Sequence, residues 1–205
     1  MEIIDSPGYT GHKKDPGELA ATGYEFRLGD YINFAFQVLQ KDPLKFFGYG
    51  FIASVIASIP FLAFPAYAGF FLVADKIKKG ESYTFDDFFG GFREKIGPLI
   101  LGSIVSVLLI MCGMFLCILP GIYLAVAYAF TIPFILFYTG DFWQAMELSR
   151  KVITKNWFPF LALVLVAGFL SGLGVILCFI GVFLTLPIYY LSMYAAYEDI
   201  VGTGK

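Results

Sequence analysis

The residues able to do acid–base, nucleophilic or metal chemistry are few in this sequence, and they are scattered. The only histidine, His12, lies in a polar N-terminal segment. The three cysteines stand inside apolar stretches, where a small buried thiol is the usual case, and their spacing matches no metal site: Cys112, Cys117 and Cys178. No GxSxG, HExxH or P-loop pattern is present. The sequence therefore argues against an enzyme and predicts no catalytic residue, cofactor or metal ligand.

Ionisable side chains at membrane depth would be a stronger sign of chemistry, because they are costly there and are retained for use. The sequence has none, since Lys, Arg, Asp and Glu are missing from three long stretches, 46–74, 96–140 and 156–196. A transmembrane helix needs about 20 apolar residues, so the second and third stretches each fit a pair of helices. The first fits one full helix and a shorter second one. A composition of 59% hydrophobic and 15% charged residues indicates a membrane protein, and no basic block suggests nucleic acid.

Two basic clusters beside the apolar stretches are candidate contacts for anionic lipid headgroups. The simpler interpretation is that they set the orientation of the chain, and acidic residues nearby would weaken a lipid site. The candidate contacts are Lys76, Lys78, Lys79, Arg150, Lys151 and Lys155.

Small residues predict tight helix packing in the third stretch. Gly168 and Gly172 form a GxxxG pair with Ser171 and Gly174 beside them, and Gly102 and Ser106 form a weaker group in the second stretch. Packing within the chain is favoured over packing against a partner. The 24 Phe and 13 Tyr suit interfacial belts, with a bound lipid or pigment as the alternative.

The elements that carry these residues fall into three related units. A proline opens each apolar stretch: Pro43, Pro98 and Pro159. A helix breaker follows each of them 22 residues later: Pro65, Pro120 with its neighbour Gly121, and Gly181. We therefore predict an all-α integral membrane protein of about six transmembrane or hairpin helices, arranged as three helical-hairpin repeats at about 28–80, 84–138 and 139–199, with turns at these breakers. The second arm of the first hairpin, 66–74, is too short to span a bilayer of roughly 30 Å.

An amphipathic segment precedes each opening proline, at 30–41, 85–94 and 141–155. They are either connecting helices packed on the bundle or helices lying in the membrane interface. All charged residues then share one side of the membrane, which the positive-inside rule places in the cytoplasm together with both termini. Residues 1–27 are predicted to be a polar, loosely ordered tail, 28–200 a single membrane domain and 201–205 a short C-terminal tail.

Three segments carry a resemblance to a known group. They read LPGIYLA at 119–125, DFWQAMELSRKVITKNW at 141–157 and YED at 197–199. Over about residues 24–200 the chain resembles a loose group of uncharacterised bacterial multi-pass membrane proteins, similar to the membrane domain attached to some glycerophosphodiester phosphodiesterases. The resemblance implies a bacterial cytoplasmic-membrane protein with about six helices. It implies no activity, because the catalytic domain of those enzymes has no counterpart here.

The leading functional hypothesis is a non-catalytic accessory or structural subunit that packs against a larger membrane protein complex or organises its lipid surroundings. The alternative is a small transporter or channel for an apolar or lipid-like molecule, with its path between the hairpins near the Pro and Gly breaks. A membrane-curving protein built from short hairpins is a third class.

Overall fold

The computed structural model describes residues 13–176 and 180–204, and within these ranges all regular structure is helical. The helices are α1 Pro16–Thr22, α2 Leu28–Lys41, α3 Pro43–Ala57, α4 Ala63–Lys78, α5 Phe85–Phe88, α6 Gly90–Glu94, α7 Ile96–Leu116, α8 Ile118–Ala127, α9 Thr131–Phe137, α10 Phe142–Lys155, α11 Trp157–Gly172 and α12 Ile180–Ile200.

Helices α3 and α4 pack against each other, but their turn lies earlier than predicted. The chain leaves α3 at Ser58, is extended at Ile59 and forms a 3₁₀ turn over Pro60–Leu62. The residue before a proline is biased towards extended backbone, which is why the break falls at Pro60. Pro65 is buried in the first turn of α4, so the prediction that it breaks the hairpin is wrong.

The two helices of the first hairpin also have the opposite relative lengths to those predicted. Pro60–Lys78 is 19 residues of continuous helical structure, long and apolar enough to cross a membrane, whereas Pro43–Ala57 is the shorter apolar helix. The second arm is therefore not the short one.

The middle pair, α7 and α8, turns at Cys117, which is extended with φ −165° and ψ 143°. Pro120 and Gly121 lie in the first turn of α8, where a missing N–H has no intrahelical partner to lose. The prediction that these two residues form the break is therefore wrong. Gly121 instead packs closely against α7: a Cβ added to Gly113 of α7 would lie 3.0 Å from the backbone nitrogen of Gly121.

A second interruption separates α8 from α9 at residues 128–130. The Ser149 hydroxyl on α10 donates to the Ala127 carbonyl at 2.6 Å and accepts from the Phe130 N–H at 3.1 Å. Ser149 is fully buried, so one side chain satisfies the backbone that the broken helix exposes.

Helix α12 is the central helix of the bundle and contacts α2, α3, α4 and α11. Its second half is almost entirely buried and rich in aromatic and small residues, including Tyr194, Ala196 and Tyr197. Gly181 is the second residue of α12, so the prediction of a turn at this glycine is wrong. The connection that precedes α12 includes residues 177–179, which lie outside the described residues.

Residues 13–27 differ from the predicted loose tail. Asp15 accepts from the Gly17 N–H at 3.3 Å, Pro16 opens α1, and Gly23 ends it with φ 84°. The Tyr24 hydroxyl then donates to the Val152 carbonyl on α10 at 2.7 Å. A capping residue and a proline at the start, with a glycine at the end, are the ordinary signals of a short helix, so residues 15–23 were sufficient to predict α1.

The amphipathic segments are helical. Helix α2 buries Tyr31, Phe34 and Val38, and α10 begins at Asp141, whose carboxylate accepts from the Gln144 N–H at 3.0 Å. The middle segment is split into α5 and α6 at Phe89, next to the predicted weak point at Gly90. Among the described residues four segments are long and apolar enough to cross a membrane: Pro60–Lys78, Ile96–Leu116, Ile118–Phe137 and Trp157–Val175.

Candidate functional site

The ends of α4 and α12 are joined by a buried ion pair. Lys78 pairs with Glu198, and their side chains are only 8% and 3% exposed. On the preceding turns, the Tyr194 hydroxyl donates to Asp75 Oδ1 at 3.0 Å. Helical spacing puts Asp75 and Lys78 on one face of α4, and Tyr194 and Glu198 on one face of α12. Two polar contacts therefore connect α4 of the first helical hairpin to α12 of the third.

Further polar contacts surround this pair. Lys79 donates to Asp75 Oδ2 at 2.7 Å, and the Tyr31 hydroxyl of α2 donates to Asp199 Oδ2 at 2.7 Å. The Lys14 amine reaches the Asp199 carbonyl at 3.2 Å. The polar residues at this end of the molecule thus hold α2, α4, α12 and the N-terminal segment together.

A charged cleft of about 370 Å³ opens beside the buried pair, between α4, α5, α6 and the end of α9. Four carboxylates line it: Asp75, Glu81, Asp86 and Asp87. Three basic side chains line it as well: Lys76, Arg93 and Lys95. Leu72, Gly90 and Leu136 supply the remaining surface. Its volume is within the range of small-molecule sites, and Asp75 belongs both to this lining and to the buried contacts.

Most charges in the cleft have partners. Lys76 pairs with Asp87 Oδ1 at 2.8 Å, and Asp87 Oδ2 also accepts from the Thr84 N–H at 2.7 Å. The hydrogen bond from Lys76, followed by that backbone bond, lowers the pKa of Asp87. Arg93 forms a two-pronged contact with the carboxylate of Asp86 at the exposed rim.

Lys95 lies at the junction between the cleft and the bundle. Its amine donates to the Ile135 and Leu136 carbonyls, both at 2.8 Å, at the C-terminal end of α9. A cation there satisfies carbonyls that have no intrahelical partner and meets the negative end of the helix dipole.

The loop that contributes Glu81 to the cleft, 79–84, folds onto the junction of α2 and α3. The Tyr83 hydroxyl donates to Asp42, and Lys45 pairs with the same carboxylate at 3.3 Å. The hydrogen bond from Tyr83 is the main cause that lowers the pKa of Asp42. The loop thereby positions Glu81 at the cleft.

The basic residues predicted to contact anionic lipids are largely engaged within the chain. Lys76, Lys78 and Lys79 pair with Asp87, Glu198 and Asp75. Lys78 is buried, so its assignment as a lipid contact is wrong. The sequence carried part of this signal, because Asp75 and Lys78 lie three residues apart and therefore share one face of α4.

The second basic cluster is also internally paired, although it remains on the surface. The Glu147 carboxylate accepts from Arg150 at 2.8 and 3.0 Å and pairs with Lys151 at 3.4 Å. Arg150 is the main cause that lowers the pKa of Glu147. Lys155 donates to the Ala21 carbonyl of α1 at 2.9 Å. The Lys155 contact joins α10 to α1, whereas Arg150 and Lys151 are paired within α10 itself. These contacts favour structural roles over headgroup binding.

The GxxxG pair of α11 faces outward. Gly168 and Gly172 are exposed, and a Cβ added to either would find no atom within 4 Å. Exposed Leu165 and Phe169 flank them. The prediction that this pair packs within the chain is therefore wrong: helical spacing reveals a small-residue face but cannot say which side of the bundle it turns to.

The other predicted packing residues are internal. A Cβ on Gly174 would meet Thr185 and Gly181, and one on Gly102 would lie 3.1 Å from Ile135. The Ser171 carbonyl accepts from the Thr185 hydroxyl at 2.5 Å. Ser106 is buried, and within the described part of the chain its hydroxyl has no hydrogen-bond partner.

Two close backbone approaches involve glycines that the sequence pattern did not indicate. A Cβ on Gly50 of α3 would lie 1.8 Å from the Phe183 carbonyl oxygen of α12, and one on Gly69 would lie 2.4 Å from the Phe88 carbonyl oxygen. Neither glycine belongs to a GxxxG pair, so the only available signal was a glycine inside an apolar helix.

The aromatic rings pack mainly on one another. Tyr67 and Tyr190 stack at 4.3 Å between ring centroids, and Tyr49 and Phe88 at 4.5 Å. Cys112 and Cys117 are exposed on α7 and at its end, so the expectation of buried thiols is wrong for both. Cys178 and His12 lie outside the described residues.

Comparisons with protein-family models, curated proteins and solved structures found no match. The class of protein therefore rests on the molecule itself. Over its described residues it is all-helical, with four segments long and apolar enough to cross a membrane and with a charged cleft beside a buried ion pair.

Proposed function

We propose that this chain is a non-catalytic, multi-pass membrane protein that acts as an accessory or structural subunit, packing against a larger membrane protein complex or organising its lipid surroundings. On this proposal it resides in a bacterial cytoplasmic membrane with both termini in the cytoplasm. The bacterial origin rests on the resemblance of segments 119–125 and 141–157, and the orientation on the one-sided distribution of charge.

The observation that carries the proposal is the outward small-residue face of α11. Gly168 and Gly172 are open, so the backbone of a second helix has room to come close at this point. Close backbone approach is how helices associate in a membrane, where lipid tails compete equally for apolar side chains. A partner helix would therefore gain contacts on this face that lipid cannot match.

The distribution of polar groups supports the same proposal. Ionisable side chains close to the described spans are paired within the chain, as Lys78 with Glu198 and Asp75 with Lys79 and Tyr194. The outer surfaces of α7, α8 and α11 are apolar, with Phe115, Leu119 and Phe158 among the most exposed side chains. Contacts with a partner would therefore be made mainly by small and apolar residues.

The test replaces the two open glycines with a bulky residue. The double variant Gly168→Ile, Gly172→Ile is compared with wild type by mild-detergent extraction from the native membrane, native gel separation and mass spectrometry of comigrating chains. Because both positions are open, the isolated chain should keep its thermal stability. We expect a defined partner to comigrate with wild type and to be lost from the variant.

Gly48→Ile is the matched control, because Gly48 lies on apolar α3 and a Cβ there also finds no atom within 4 Å. This variant should retain the partner. If the wild-type protein migrates as a monomer or homo-oligomer with no other chain, the proposal is contradicted. Equal partner loss in the control would show that added bulk, rather than the α11 face, is responsible.

The alternative of a small transporter or channel for an apolar or lipid-like molecule has one structural feature in its favour. The α8–α9 interruption divides a candidate span, and discontinuous helices are common at transporter binding sites. Here, however, the freed backbone groups are bonded by Ser149, and Phe130 at the break is fully buried. Flux of an apolar solute in vesicles reconstituted with the purified wild-type chain alone would favour transport over the accessory role.

A further inference from the structure

The hairpin formed by α7 and α8 ends in an apolar tip, residues 111–122, that is largely exposed. The tip contains no charged, amide or hydroxyl side chain. Exposure along α7 rises towards it, from 38% at Val107 to 63% at Met111 and 96% at Phe115, and Leu119 on α8 is still 79% exposed. A contiguous apolar surface of this kind marks a place that membrane or another molecule covers.

Aromatic and charged side chains border the tip where α10 meets α8. The Tyr123 hydroxyl shares a hydrogen bond of 2.7 Å with the Thr154 hydroxyl, and the Tyr123 ring stacks on Trp157. Four charged side chains of α10 remain at least partly exposed: Glu147, Arg150, Lys151 and Lys155. Tyrosine and tryptophan beside charged groups are typical of the boundary between membrane and water.

Helix α10 runs alongside α8 in the opposite direction. Ser149 bonds to Ala127 and Phe130, and Thr154, five residues further along α10, bonds to Tyr123. The charged helix therefore accompanies α8 as far as Tyr123.

These contacts limit how deeply the tip can enter a bilayer. Tyr123 lies four residues from Leu119, which is about 6 Å of helix. The close packing of Gly113 against Gly121 puts the α7 side of the tip at a similar depth. By length and composition both arms of the hairpin could cross a membrane. If they did, however, the partly exposed charges of α10 would be carried into the hydrocarbon core, where charges are costly.

We propose that the tip inserts into the hydrocarbon of a single membrane leaflet, the one facing α10, and returns without crossing. A shallow depth suits the turn at Cys117, because the backbone groups left free at the ends of α7 and α8 need water or headgroups nearby. The inference rests on the membrane location in the proposed function but not on a partner subunit. It concerns a surface apart from the α11 face, and insertion into one leaflet is what a membrane-curving role would require.

The cysteine in the turn provides a native probe. With Cys112 and Cys178 replaced by Ser, a nitroxide is attached to Cys117 of the purified full chain in vesicles of phosphatidylcholine and phosphatidylglycerol. Electron paramagnetic resonance measures its collisions with oxygen, which concentrates in hydrocarbon, and with a water-soluble nickel chelate. The reference label is on Thr154→Cys, in a chain whose three native cysteines are Ser. We expect the Cys117 label to favour oxygen at a depth of about 5–10 Å, and the Thr154→Cys label to favour nickel.

The order of the two labels distinguishes the arrangements. A hairpin that crosses the bilayer would reverse the order, since the Cys117 label would reach water on the far side and the Thr154→Cys label would lie in the bilayer. Low collision rates with both reagents at Cys117 would mean that protein covers the tip. Either result overturns the proposal, as does a preference for nickel at Cys117.

A third label separates this inference from the proposed membrane location. Phe169→Cys lies on the exposed face of α11 and should favour oxygen in any membrane-embedded arrangement. If the labels on Phe169→Cys and Cys117 both favour nickel, the membrane location is wrong as well. If only the Cys117 label does, the tip proposal alone is wrong. Loss of the comigrating partner would leave both labels unchanged.

Two matched substitutions test the apolar character of the tip. Leu119→Asp should abolish the oxygen preference of the Cys117 label, because a carboxylate resists burial in hydrocarbon. Leu44→Asp changes a similarly exposed leucine on α3 and should leave that preference unchanged. Both side chains are exposed, so both variants should fold. An unaltered oxygen preference in Leu119→Asp would contradict insertion of the tip.

Discussion

Removal of one partner of the buried pair between α4 and α12 should be strongly destabilising. Lys78→Met replaces a side chain that is 8% exposed with an apolar one of similar length, and leaves Glu198, 3% exposed, without its cation. Breaking a buried ion pair in this way costs about 3–5 kcal/mol, because the remaining charge is buried and unpaired. In a chain of this length that corresponds to an unfolding temperature lower by on the order of 10 °C.

The double variant Lys78→Met, Glu198→Met separates this cause from a simple loss of packing. With both charges gone, no uncompensated charge is buried, and replacing such a pair by apolar residues is often neutral. We expect the double variant to unfold close to wild type and Glu198→Met alone to resemble Lys78→Met. The Tyr194 and Asp75 contact is left in place in all of them.

The assay is thermal unfolding of the purified chain in a mild detergent, followed by circular dichroism. Lys151→Met is the control, because Lys151 forms a half-exposed ion pair with Glu147 and surface pairs contribute little. The reasoning is refuted if Lys78→Met unfolds as wild type does. It is also refuted if the double variant is as unstable as the sum of the two single variants, since their coupling would then be zero.

Two further predictions concern polar contacts nearer the surface and at the helix break. Ser149→Ala should lower the free energy of unfolding by about 1–3 kcal/mol, because the buried Phe130 N–H loses its acceptor and the Ala127 carbonyl its donor; chemical denaturation measures this. Asp87→Asn should flatten the loss of stability at low pH. Lys76 lowers the pKa of Asp87 in the folded state, so its stabilisation is present above the unfolded pKa of about 3.9 and is lost as pH falls through the folded value.

Each of these variants has a control that makes the same substitution at an exposed position without the contact in question. Ser82→Ala changes an exposed loop serine and should leave stability unchanged, so an equal loss would show that the Ser149 effect is not due to the helix break. Asp30→Asn changes an exposed carboxylate of α2 and should keep the acid-side slope of wild type. The measurement is the melting temperature between about pH 2 and pH 6. If Asp87→Asn lost stability towards low pH as steeply as wild type does, the reasoning on Asp87 would be contradicted.

The sequence predicted the helical class, the apolar stretches and the amphipathic helices because those features depend on local periodicity. It placed the turns incorrectly at Pro65 and Gly121, since a proline or glycine is tolerated in the first turn of a helix and does not by itself end one. It also missed α1, although Asp15, Pro16 and Gly23 were visible signals. Helix α1 is short and lies in a polar segment, so hydropathy does not reveal it and only its capping residues do.

The candidate site was harder to predict, because it depends on which elements meet. The spacing of Asp75 and Lys78 fixes a shared face of α4, but only the packed bundle shows that this face meets Glu198. The same limit explains α11, where the face with Gly168 was visible in the sequence and its direction was not. Contacts between helices distant in the chain are set by the whole core, and local patterns do not encode them.

The pairing of charges within the chain also limits how the protein can interact. A pair such as Arg150 with Glu147, or Lys76 with Asp87, must be opened before either member binds a headgroup or an acidic partner. Surface pairs contribute little stability and open readily, but the gain from a new partner is reduced by the contact that is lost. The open face at Gly168 carries no charge and has no such contact to lose. Binding should therefore concentrate at this apolar face, and substitutions there should change binding while leaving the bundle intact.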